Sequence, residues 1–92
     1  MKFELGQVVS TCGIANTMEE HPDFRSEVMK IMLRYMEGDW GDTCEEDKPL
    51  NDDAVKSGED RILAAYETSQ GKIWIQTEWD RSYTTIMFPD EY

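Results

Sequence analysis

The apolar positions of the chain keep two different periods, and the change falls after Gly58. Phe24, Val28, Ile31, Met32 and Tyr35 recur at i, i+4, i+7, i+8 and i+11, which is one face of an α-helix. Asp23 is placed to cap its start, and Gly38 stands where a left-handed C-terminal residue belongs. Met29, Leu33 and Met36 widen the stripe, so the pattern predicts a helix buried on more than one side. Ahead of it, residues 5 to 11 form a β-branched run closed by Cys12-Gly13, which predicts a first strand. Residues 14 to 20 suit one or two helical turns, closed by His21-Pro22.

Beyond Gly58 the period becomes 2. Residues 61–68, 72–79 and 83–88 are rich in β-branched and aromatic side chains, linked by Ser69-Gln70-Gly71 and Asp80-Arg81-Ser82. In the second run Ile73, Ile75, Thr77 and Trp79 share a face and are expected in the core. Trp74, Gln76 and Glu78 then face the other way. Between the two regimes lies a turn-rich stretch around Trp40, and residues 51–56 suit a short helix with Pro49 ahead and Gly58 as its stop. The expected fold is α+β, a single domain over residues 1–92. A C-terminal three-stranded antiparallel meander is joined by an N-terminal strand, with one long helix packed across one face.

Composition narrows the function classes. Apolar residues make up 39% and aromatics 11%, enough for a modest core and too much for a disordered acidic tail. Twenty acids oppose nine Lys plus Arg, a net charge of −11. Direct nucleic-acid binding by phosphate neutralisation needs the opposite balance and is not expected. No run is long and apolar enough to span a bilayer, no signal peptide is expected, and two cysteines are too few for a disulfide-built secreted fold. The expected compartment is the cytoplasm.

The acid excess is local. Ten acids lie between Glu37 and Asp60 against Lys48 and Lys56, so this segment carries −8 of the −11. Such a field repels nucleic acid and attracts basic protein surfaces. Helical carboxylates at i, i+3 or i+4 stand about 5–6 Å apart, a spacing akin to that of duplex phosphates. A small protein with such a face suits the phosphate-binding cleft of a nucleic-acid enzyme. Asp39, Asp42, Glu45, Glu46 and Asp47 are also hard oxygen donors, but the loop lacks the order of an EF-hand, so no metal is expected. Catalytic resources are thin. His21 is the only histidine, Cys12 and Cys44 have no spacing that pairs them with it, and no phosphate-cradling Gly loop is present. Arg81 is expected to pair with Glu78 or Asp80 and pin a turn. No enzymatic activity and no cofactor are expected.

Several of these pieces also occur together elsewhere. Gly38-Asp39-Trp40-Gly41-Asp42, Glu45-Glu46-Asp47-Lys48 with Asn51, and Gly58 with Arg61-Ile62-Leu63-Ala64-Ala65-Tyr66 form one set. Ile73-Trp74-Ile75, Thr77-Glu78 with Asp80-Arg81, Thr84-Thr85 and Phe88-Pro89-Asp90-Glu91-Tyr92 form the second. Over about two thirds of its length the chain resembles a family of short proteins carried on plasmids, prophages and other mobile elements. Some members are called plasmid-related, others are named after the M subunit of type I restriction systems. The second name is not literal here, because 92 residues do not hold a methyltransferase domain. The resemblance implies a mobile-element setting, which favours proteins that blunt host defence.

The sequence therefore predicts a non-enzymatic acidic inhibitor acting as a partial DNA mimic. It would bind the basic nucleic-acid groove of a host CRISPR-type or restriction-type complex. The contact residues expected are Asp39, Asp42, Glu45, Glu46, Asp47, Asp52 and Asp53, with Trp40 or Trp74 as apolar anchor. Trp40, flanked by Gly and Asp, also suits a plug that holds the acidic segment on the core. The alternative is a cytoplasmic accessory domain, a homodimer through an exposed sheet edge, whose acidity has no specific target.

Overall fold

A computed structural model describes residues 3–92. Its elements run β1 (Gln7–Ser10), α1 (Cys12–Glu20), α2 (Pro22–Met36), α3 (Lys48–Ser57), β2 (Ile62–Thr68), β3 (Gly71–Thr77) and β4 (Tyr83–Met87), with a 3₁₀ turn at Pro89–Glu91. The fold is α+β, with three helices against a four-stranded mixed sheet of order β1-β4-β3-β2. The meander β2-β3-β4 is antiparallel, with Ile75 opposite Ala64 on one side and Ile86 on the other. The N-terminal strand joins it in parallel, Val8 opposite Thr84. No helix among the described residues is long and apolar enough to cross a membrane.

The helical side of the sheet is the core. Ile62, Ala64, Tyr66, Ile73, Ile75 and Ile86 meet Phe24, Val28, Ile31 and Tyr35 of α2, joined by Ile14, Trp40 and Ala54. Fully burying each large apolar side chain is worth about 1.5–3 kcal/mol. A chain of hydroxyls crosses this core. The Oγ1 of Thr84 donates to the carbonyl of Leu5 at 2.7 Å and lies 2.8 Å from Thr77 Oγ1, which is 2.6 Å from the Tyr35 hydroxyl. With one proton each, the bonds run in one direction, from Tyr35 through Thr77 and Thr84 to Leu5. Burial pushes the Tyr35 phenol well above its ordinary pKa.

Four expectations need correction. The long helix is not alone against the sheet: the short helices expected at residues 14–20 and 51–56 run longer, Cys12–Glu20 and Lys48–Ser57, and bring Ile14 and Ala54 into the same core. Met29 and Leu33 are 66% and 64% exposed, so α2 is buried on one side. The cap at the start of α2 is His21, with Pro22 in the first turn, and Asp23 lies inside that turn. Trp79 is 63% exposed, because β3 ends at Thr77 and the chain turns before the alternation reaches it. Gly38 does take the left-handed conformation past α2, at φ 82°, and Gly58 does so past α3, at φ 71°.

Candidate functional site

The acidic segment is sewn along the outer edge of β2. An edge strand leaves alternate N–H and C=O groups without partners, and each outward-facing residue of β2 is met by this segment. Asn51 donates through Nδ2 to the Leu63 carbonyl at 2.9 Å and accepts from the Leu63 N–H at 3.3 Å. The Ala65 N–H donates to Thr43 Oγ1 at 2.9 Å, and the Ala65 carbonyl accepts from the Asp42 N–H at 2.8 Å. The Glu67 N–H donates to Asp42 Oδ2 at 2.9 Å. Gly41 lets the loop come this close. Its φ is 62°, and a Cβ there would lie 2.3 Å from the Tyr66 ring.

Several expected contact residues are therefore structural partners. Asp39 accepts from Arg34 Nε at 2.8 Å and Nη2 at 3.3 Å, and from the Gly41 N–H at 3.0 Å. The Arg34 bonds come first among the causes that hold its carboxyl below the ordinary range, and the Gly41 N–H adds to them. Trp40 is 4% exposed and donates from Nε1 to Asp52 Oδ1 at 2.9 Å. It is the plug, and its ring is not on the surface. Asp47 accepts from the Cys44 thiol at 3.1 Å, and Glu45 pairs with Lys48 at 3.1 Å. Glu46 and Asp53 are exposed, and their carboxylates have no hydrogen-bond or ion-pair partner among the described residues.

Trp74 lies on the face of the sheet away from the helices, half-buried under Tyr92, whose ring crosses it edge-on at 5.6 Å. Tyr92 is held there by Arg61, which donates from Nη1 to its hydroxyl at 2.7 Å. A groove of about 210 Å³ brings Trp74 together with Asp42, Asp47, Cys44 and Lys72. Three of the expected residues thus share one depression, with Glu45 and Glu46 exposed in the same loop. Two neighbours were not expected. Leu50, 62% exposed on α3, lines an adjoining groove with Asp47, Asn51, Arg61 and Leu63, and its only sequence signal is an apolar residue off the buried Asn51–Ala54 face. Lys72 faces Glu67 at 3.7 Å and was legible only as a strand residue.

The turn at residues 78–82 is built differently from expectation. Arg81, at φ 60°, donates to the carbonyls of Asp60 at 2.6 Å, Ala54 at 2.9 Å, and Glu78 and Trp79 at 3.2 Å. It does pin the turn, but through backbone carbonyls and not through the carboxylates of Glu78 or Asp80. Glu78 accepts from Gln76 Nε2 at 2.7 Å, and Asp80 accepts from the Ser82 N–H at 3.0 Å. Glu91 accepts from Thr11 Oγ1 at 2.6 Å and from the N–H groups of Phe88 and Gly13, so a carboxylate sits at the start of α1. Those bonds, Thr11 first, hold its carboxyl below the ordinary range. Among the described residues no group of three or more His, Cys, Asp or Glu is arranged to hold a metal ion. The chain matches no family model, no curated protein and no solved structure.

Proposed function

We propose that the protein is a non-enzymatic acidic inhibitor from a mobile element, which binds the basic nucleic-acid groove of a host defence complex in the bacterial cytoplasm. The observation that carries this reading is the shared groove of Asp42, Asp47 and Trp74 beside exposed Glu45 and Glu46. Two carboxylates beside an indole, with Lys72 drawn towards Glu67, suit an arginine side chain, which pairs with the acids and stacks on the ring. Glu46 and Asp53 supply the free charge, and Leu50 takes the apolar role first given to Trp40. Asp39 and Asp52 are exposed but already engaged, Asp39 with Arg34 and Asp52 with the Trp40 indole, and so hold the loop and Trp40 in place.

Capture from a host lysate at low and at high salt tests this reading. A basic nucleic-acid-binding protein is expected to be retained at low salt and released at high salt, because the attraction is screened. Glu45→Lys, Glu46→Lys, Asp47→Lys and Asp53→Lys together are expected to abolish retention. Retention that ignores both salt and these substitutions overturns it.

A further inference from the structure

The two edges of the sheet are treated oppositely. Along β2, Asn51, Thr43 and Asp42 satisfy Leu63, Ala65 and Glu67. At β1, Gln7 and Thr11 donate their N–H groups to Ser82 and Ile86 on the β4 side. The alternation of a strand then turns the N–H and C=O groups of Val8 and Ser10 outwards, and among the described residues no strand pairs with β1 on that side. The strand is Gln-Val-Val-Ser, exposed at every position, without the Lys, Pro or bulge that blunts natural edges. Beside it runs an apolar groove of about 460 Å³, lined by Val8, Val9, Met18, Met29, Met32 and Leu33 among others, with Lys30 the only charged residue of its lining among the described residues. Val8 is 47% exposed.

We propose that a second copy of this chain occupies this edge and groove, forming a two-fold dimer with one continuous sheet. The surface is self-complementary, as a two-fold interface requires. With the axis at Val9, antiparallel pairing sets Val8 opposite the partner's Ser10, so each outward N–H meets an outward C=O. The same operation brings the exposed Met29 and Leu33 stripe of each α2 to the junction from both sides. Charge chooses this end of the molecule. Residues 1–36 carry a net −1, whereas residues 37–60 carry −8 and lie along the opposite edge. In an eight-stranded sheet the two acidic edges stand about 34 Å apart at ordinary strand spacing, well beyond the Debye length of about 8 Å at physiological salt. Dimerisation thus removes the open edge without bringing the acidic segments together. This surface is distinct from the acidic groove, and the inference stands without that reading.

Light scattering coupled to size exclusion, at high micromolar concentration, tests it on the whole chain. The expected mass is twice the 10.7 kDa of the monomer. Val8→Lys combined with Leu33→Lys is expected to halve the mass while circular dichroism stays unchanged, since both side chains are on the surface. Leu50→Lys, at the sealed end, is expected to leave the dimer intact. Amide exchange supplies a second reading, with Val8 and Ser10 protected in the wild type and released in the double variant. A wild-type monomer with freely exchanging Val8 and Ser10 overturns the proposal, including in favour of a foreign strand at this edge. A dimer that survives both substitutions overturns it too.

Discussion

The indole N–H of Trp40 donates to the carboxylate of Asp52 across 2.9 Å, joining the turn-rich acidic loop to α3. The ring itself packs edge-on against Tyr35 at 5.6 Å and lies 6.0 Å from Phe3. One aromatic thus fastens a segment of net charge −8 to an apolar core. Trp40→Ala is expected to cost about 3–5 kcal/mol, by the transfer and cavity terms together. Asp52→Ala, which removes one partner of a single bond, is expected to cost about 1 kcal/mol. Urea denaturation measures both. Equal and small losses would show that the loop is not held through Trp40.

The sealed edge of β2 predicts a coupled effect on stability and association. Asn51→Ala leaves the Leu63 N–H and C=O without partners, and is expected to cost about 1–3 kcal/mol. The reopened edge is expected to raise aggregation under light scattering. Gly41→Ala adds a Cβ against Tyr66 at a positive φ, and is expected to lose stability as well.

These side-chain caps explain why part of the molecule was legible in sequence and part was not. The α2 face was readable because Phe24, Val28, Ile31 and Tyr35 repeat at helical spacing, and all are buried. Met29 and Leu33 carry the same apolar signal but lie on the side the fold leaves open; hydrophobicity does not say which side is covered. Trp79 failed for a similar reason, as the alternation of β3 ran on past its last paired residue. The bonds of Thr43, Asp42 and Asn51 to β2 join residues 12 to 25 positions apart and have no local period. The acid cluster was visible as charge, yet which carboxylates are free depends on those bonds.

The buried hydroxyl chain predicts that Thr84→Val is more damaging than a surface substitution. It deprives both the Leu5 carbonyl and the Thr77 hydroxyl of a partner. The expected loss is about 1–3 kcal/mol, read from the urea midpoint. Tyr35→Phe, which ends the chain at its donor, is expected to cost about 1 kcal/mol.

Acid is expected to weaken the fold through Asp39 and Glu91. Both carboxyls have pKa values lowered by folding. Their contribution is therefore complete above the ordinary carboxylate pKa of about 4 and is lost as pH falls through their lower folded values. Both groups are exposed, so screening limits each to at most about 1 kcal/mol. Asp39→Asn together with Glu91→Gln is expected to flatten the stability profile below pH 4 without changing its shape above pH 6. An unchanged acid limb would contradict this assignment.

The most direct test of the acidic-surface account is protection of incoming DNA in a bacterial host with active CRISPR or restriction interference. The wild-type protein is expected to raise plasmid establishment. A folded variant with Glu45, Glu46, Asp47 and Asp53 reversed to Lys is expected to give none of that protection. Equal protection by the variant, or none by the wild type against either system, would contradict the account.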